Sequence, residues 1–152
     1  MRQTDKIEVF RANKNNLETV VEMVYAYYQE EKENDSGEIG VERGRLKKAI
    51  LEKLSDPKRH FYYLFSEKGK TVGLVQFAVW DPKAAGFILI YLLPEYRGRG
   101  LGGSFIDWAV NKMKSIGVET VKTEVRNGNK ASLKLFSRYQ LEPSSTTYNF
   151  KI

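Results

Sequence analysis

The sequence predicts a mixed α/β domain with its elements in the order β-α-α-β-β-β-α-β-α-β. Three observations predict it. The chain divides into segments whose apolar residues recur at helical spacing and segments where they recur at strand spacing. Phe87 to Leu93 is a continuous apolar run suited to a strand buried on both faces. A glycine-rich turn joins that run to a helix-like segment. No linker, internal repeat or low-complexity stretch divides the 152 residues, so a single domain spanning 1–152 is expected.

Each element has its own justification. Ile7 to Phe10 reads as a short strand. Asn15 with Glu18 three residues on resembles a capping box, and Leu17, Val20, Val21, Val24, Tyr25 and Tyr28 then fall on one helical face. The acidic stretch containing Ser36-Gly37 is read as a loop. A second helix is expected from about Glu42 to Leu54, with Leu46, Ala49, Ile50 and Leu54 inward, stopping before Asp56-Pro57. Phe61 to Ser66 and Thr71 to Trp80, joined by Glu67-Lys68-Gly69-Lys70, form an expected hairpin. Asp81-Pro82 and Gly86 mark the next reversal, ahead of the Phe87 to Leu93 strand. Ile106, Ala109, Val110, Met113 and Ile116 repeat at helical spacing up to Gly117. Val121, Thr123 and Val125 alternate with Lys122, Glu124 and Arg126 as a half-exposed strand. A helix from about Lys130 to Tyr139 and a strand from Thr147 to Ile152 complete the chain.

Composition excludes several classes. The apolar runs are too short to cross a bilayer, and no apolar segment follows Met1 to Lys6, so neither a membrane anchor nor a signal peptide is expected. There is no cysteine, hence no disulfide, thiolate zinc site or cysteine nucleophile. A single histidine, His60, argues against a multi-histidine metal site or a Ser-His-Asp hydrolase. The expected compartment is the cytoplasm. Lys and Arg number 25 against 19 Asp and Glu, a net charge of +6. The excess is uneven. Glu30, Glu31, Glu33, Asp35 and Glu38 cluster against Lys32 alone, while the chain after them is strongly basic. A basic body suits an anionic partner, a phosphate-bearing cofactor or nucleic acid, or simply a soluble surface.

Chemistry concentrates in Leu92-Leu93-Pro94-Glu95-Tyr96-Arg97-Gly98-Arg99-Gly100-Leu101-Gly102-Gly103. Glycines allow a tight turn with exposed N–H groups, the positive end of the following helix adds to them, and Arg97 and Arg99 bring full charges. Together they suit a pyrophosphate. Residues Gly98 to Gly103 match G-x-G-x-x-G, yet only about fifty residues follow, too few for a series of parallel βαβ units. No Gly-Lys-Ser/Thr completes a Walker A loop.

Arg97-Gly98-Arg99-Gly100-Leu101-Gly102 resembles the Q/R-x-x-G-x-G/A acyl-CoA motif of the GNAT N-acetyltransferase superfamily. Asn129 to Phe136 is similar to that family's second pattern, N-x-x-A/S-x-x-L-Y/F, and the order of elements matches over nearly the whole chain. The layout loosely resembles the diamine and polyamine acetyltransferase branch. The resemblance implies a mostly antiparallel mixed sheet of six or seven strands flanked by about four helices. It implies acetyl-CoA as cosubstrate and no metal. Its pyrophosphate would lie on Gly98, Arg99, Gly100, Leu101, Gly102 and Gly103 beside Arg97, with its arm along Leu92, Leu93, Asn129 and Phe136. The Leu92 backbone N–H would serve as oxyanion donor.

Two departures from the family pattern bear on catalysis. The usual tyrosine acid falls on Phe136, leaving Tyr139 as a candidate or the thiolate, of pKa near 8.5, to leave unprotonated. The Phe87 to Leu93 strand carries no carboxylate, so Glu30, Glu31, Glu33, Asp81 and Glu124 are the candidate proton acceptors. In the family the loop between the first two helices borders the acceptor. Here Tyr27, Glu30, Glu31 and Glu33 would suit a polycation through ion pairing and cation–π contact. The expected function is therefore acetyl transfer to a small cationic amine, such as a polyamine or an aminoglycoside. The alternatives are a protein N-terminal or lysine acetyltransferase and a non-catalytic domain binding CoA or nucleic acid. The expected partner is a small-molecule amine, with a homodimer as an option and nucleic acid not favoured.

Overall fold

The computed structural model describes residues 7–34, 41–81 and 83–123, together with Tyr139. β1 spans Ile7–Arg11 and α1 spans Leu17–Asn34. Between them the Asn13 carboxamide accepts the Asn15 N–H at 2.8 Å, and Asn16 Oδ1 accepts the Asn13 N–H at 3.0 Å. The reciprocal cap is thus Asn13 with Asn16, around a 3-10 turn, and not Asn15 with Glu18. Glu18 instead pairs with Lys47 of α2 (Arg43–Leu54). Glu42 caps α2 through its side chain on the Gly44 N–H. Leu46 and Ile50 are its buried pair, with Ala49 and Leu54 half-buried.

β2 (His60–Glu67) and β3 (Lys70–Asp81) form the expected hairpin, turning at Lys68 and Gly69, which both have positive φ. β4 covers Ala84–Leu92, so Gly86 lies inside the strand and not in the reversal. Asp81 Oδ1 accepts the Lys83 N–H at 2.8 Å and makes that turn. Gly86 is needed for packing, because a Cβ there would overlap the Trp80 ring. α3 (Leu101–Ser115) buries Leu101, Phe105, Ile106, Ala109 and Met113. Val110 is half-buried, and Ile116 is exposed because the helix ends at Ser115. β5 covers Thr120–Thr123, with Val121 exposed.

The described strands form one sheet in the order β1-β2-β3-β4-β5. The first three pairings are antiparallel, and β4 to β5 is parallel. Among the described residues there are five strands and three α-helices, in the mixed, mostly antiparallel arrangement expected. The helix and strand expected after Lys130 lie outside the described residues, apart from Tyr139.

The alternation of each strand sorts side chains onto two cores. On one face, Tyr62, Leu64, Leu74, Leu89 and Tyr91 pack with Val20, Val21 and Val24 of α1 and Leu46 and Ile50 of α2. On the other, Phe61, Tyr63, Phe65, Val75 and Phe77 pack with Phe105, Ala109 and Met113 of α3. Ile90 and Leu92 join this second core, so β4 is covered on both faces. Among the described residues, no helix is long and apolar enough to cross a membrane.

Candidate active site

The site is built where β4 ends. Gln76 pairs with Leu89 and Phe77 with Phe87, which leaves Ile88 as an extra residue in β4 and bends the strand. Further on, the Leu93 N–H donates to Val72 O at 2.9 Å. Leu92, opposite Gly73, therefore occupies the alternate kind of antiparallel pair, and its N–H and C=O point away from β3. The carbonyl bears this out: it accepts from Arg97 Nε at 2.9 Å. The Leu92 N–H faces the same side, and among the described residues β5 pairs with β4 at Ala84 to Phe87.

A 3-10 turn, Pro94–Tyr96, follows, and then the chain reverses through Gly98 (φ +81°) and Gly100 (φ +77°). Both glycines sit in the left-handed region that costs other residues energy. Gly100 is the N-cap of α3, and no side chain caps the helix. The first hydrogen bond of the helix is Ser104 N–H to Gly100 O at 3.2 Å, so the Leu101, Gly102 and Gly103 amides precede any intrahelical partner. Nothing lies within 4 Å of where a Cβ would stand at Gly98 or Gly100. Donors aimed outward, a positive helix end and open space together fit a pyrophosphate.

The two arginines of the turn are placed differently. Arg97 folds back to α1, its Nη2 lying 2.8 and 2.9 Å from the two Glu30 carboxylate oxygens. The Tyr91 hydroxyl donates to the same carboxylate at 3.3 Å, and the Arg97 guanidinium stands 5.5 Å over the Tyr91 ring. Burial, then the Glu30 charge, raises the Tyr91 pKa above its ordinary value, so the phenol stays a donor. Arg99 lies 5.0 Å over the Tyr96 ring, and no carboxylate among the described residues pairs with it. Lys70 meets Tyr96 at 5.5 Å and Glu95 at 3.2 Å.

Glu30, Glu31 and Glu33 were expected on a loop. They stand instead on the last turns of α1, which runs unbroken to Asn34. Gln29, Glu30, Glu31, Lys32 and Glu33 are all good helix formers, and the Ser36-Gly37 breaker comes only after them. Acids at a helix C-terminus oppose its dipole by about 0.3–1 kcal/mol each. Tyr27 lies on the same stretch, edge-on to Tyr28 with ring centroids 5.3 Å apart. The Tyr139 hydroxyl donates to Asp107 of α3, a residue about 9 Å along the axis from the helix start. Asp81 is at the opposite end of the sheet, eight strand residues or about 26 Å from Leu92. Asn129, Phe136 and Glu124 lie outside the described residues.

Two residues escape the sequence reading. Tyr91 is absorbed there into an apolar run, although its hydroxyl was a signal available in it. Gly73 lies in a strand, where a glycine signals close approach. A Cβ at position 73 would stand 2.6 Å from Phe105 Cε2 and 2.9 Å from Tyr91 O.

Comparison with known proteins identifies the family. Residues 21–140 match the family described as "Acetyltransferase (GNAT) family", and the chain belongs to it. It is 28% identical to N-alpha-acetyltransferase MAK3 of Arabidopsis thaliana, in a match covering 66% of this chain and 61% of that protein. The chain thus spans about three fifths of the length of that curated relative. A possible acetyltransferase from Clostridium difficile 630 superposes with a TM-score of 0.78 at 19% identity, covering 96% of this chain and 97% of the other. The PaiA N-acetyltransferase of Thermoplasma acidophilum, solved with coenzyme A, gives 0.72 at 18% identity over 87% of both chains. These two structures share the fold. Among the described residues, no group of three or more His, Cys, Asp or Glu could hold a metal ion.

Proposed function

We propose that residues 1–152 act as one cytoplasmic GNAT domain that moves an acetyl group from acetyl-CoA to a primary amine by direct attack. The proposed acceptor is a small cationic amine of the polyamine or aminoglycoside kind. The observation that carries this reading is the bond series from Glu30 through Arg97 to Leu92 O. It brings the acidic end of α1 against the strand end whose N–H would meet the thioester.

When bound, acetyl-CoA supplies an activated thioester. The amides of Gly98 to Gly103 hold the pyrophosphate, and Arg99 adds a full positive charge. Leu92 and Leu93 border the pantetheine arm, with Asn129 and Phe136 beside it on the family pattern. The Leu92 N–H donates to the oxygen where negative charge develops. Tyr27, Glu31 and Glu33 receive the cationic acceptor, and holding its nitrogen against the thioester supplies much of the acceleration. An amine of pKa about 10 arrives charged. Glu31 takes its proton, directly or through water. Tyr139, held by Asp107, and departure of the thiolate unprotonated are the two routes for the leaving group.

A second reading has one observation in its favour. The Arabidopsis relative is an N-alpha-acetyltransferase by name, which favours a protein N-terminus as acceptor. The deciding experiment is acetyl-CoA-dependent thiol release against polyamines, aminoglycosides, amino acids and basic peptides, with a blank lacking acceptor. Turnover of polyamines or aminoglycosides supports the first reading, and turnover of peptides alone replaces it with the second. Silence in every pool overturns both.

A further inference from the structure

We infer that Glu30 is a positioning residue that acts through Arg97 on the Leu92 peptide, and that it is neither a base nor an acceptor ligand. This rests on the acetyl-CoA site proposed above. Three donor contacts converge on the Glu30 carboxylate: Arg97 Nη2 at 2.8 and 2.9 Å and the Tyr91 hydroxyl at 3.3 Å. A carboxylate so held is poorly placed to swing toward an incoming amine. The same guanidinium uses Nε on Leu92 O at 2.9 Å. On the other side of that peptide unit, the Leu93 N–H is fixed on Val72 O at 2.9 Å. The peptide after Leu92 is therefore pinned at both its oxygen and its nitrogen.

That clamp matters because of direction. The carbonyl and the N–H of Leu92 face the same side, away from β3. Pinning the carbonyl holds one of the two peptide planes that meet at Leu92, and so restrains the φ and ψ that relate it to the plane carrying the N–H. The ion pair is half-exposed, with 44% of the Arg97 and 34% of the Glu30 side-chain surface accessible. A pair this wet contributes little to stability, so its value lies in geometry. It also means that the Arg97 guanidinium is committed to α1 and β4, leaving Arg99 and the backbone to meet the phosphates.

The test compares acetyl-CoA with CoA by calorimetry, for the wild type, Glu30→Ala, Glu30→Gln, Arg97→Ala and the Glu30→Ala/Arg97→Ala pair. Only acetyl-CoA carries the thioester oxygen. We expect Glu30→Ala and Arg97→Ala each to weaken acetyl-CoA about fivefold or more while CoA changes less than about twofold. The double variant should match the worse single variant, and Glu30→Gln, which keeps an acceptor for Arg97, should recover part of the loss. Thermal melts check that each variant folds. Tighter CoA binding by Glu30→Ala would mean that Arg97 had been freed to bind phosphate, and it overturns the inference. So does an equal loss for both ligands, or no loss with turnover abolished, the mark of a base. A wild type that binds neither ligand overturns the acetyl-CoA site itself, and the inference falls with it.

Discussion

The rings of Phe65 and Phe105 stack with centroids 3.8 Å apart and planes 13° from parallel, clamping the first turns of α3 onto β2. The overlap depends on the absence of a side chain at position 73, since Phe105 occupies that space. Gly73→Ala cannot be relieved by moving one flexible group, because backbone Tyr91 O lies on the other side. We expect a loss of about 1–3 kcal/mol in denaturant unfolding, with CoA affinity falling as α3 and its turn shift.

Gly100 tests the turn in a different way. Space is available for a methyl group, but φ of +77° is not favourable for one. Gly100→Ala should cost about 1–2 kcal/mol in thermal unfolding and weaken CoA about tenfold or more in calorimetry. Retained affinity would show that the amides after Gly100 do not hold the pyrophosphate.

Tyr139→Phe separates the two routes for the leaving thiolate. With its hydroxyl donated to Asp107, Tyr139 is expected to tie its segment to α3. The variant should then lose about 1 kcal/mol of stability and less than tenfold in kcat. A general acid would instead cost about 10²–10⁴-fold.

Stability should fall at both pH extremes, for opposite reasons. Burial raises the Tyr62, Tyr63 and Tyr91 pKa values above about 10. The native chain then holds those protons longer than the unfolded one, so stability is full below about pH 10 and is lost as pH rises through the native values. Burial, followed by Lys53, lowers that of His60 below 6.5. The unfolded chain then binds the proton first, and stability present above 6.5 is lost as pH falls through the native value. Melting curves of Tyr62→Phe and His60→Gln should flatten the alkaline and acid limbs respectively.

Much of this architecture was legible because periodicity survives tertiary packing. Val20, Val21 and Val24, the hairpin around Lys68-Gly69 and the two-sided burial of β4 follow directly from spacing. The turn at Gly98 to Gly100 was legible because glycine at left-handed φ leaves a compositional mark. The rest depended on partners far apart in sequence. Nothing local to Arg97 announces its ion pair with Glu30, 67 residues away. Asn15 and Glu18 read as a capping box until Asn13 and Asn16 are seen to form it, while Glu18 pairs with Lys47 of α2. The end of α1 was placed too early because acidic residues resemble a solvated loop, although their backbone propensity is helical.

The acidic end of α1 also has a consequence for encounter. A molecule of net charge +6 repels cations on average, whereas exposed Glu33 on the last turn of α1 makes one corner locally attractive. A polyamine acceptor of the kind proposed would be steered toward that corner. Capture, more than residence, would then depend on ionic strength: kcat/KM should drop steeply with added salt while kcat stays nearly level. A neutral amine of the same size would be indifferent to it.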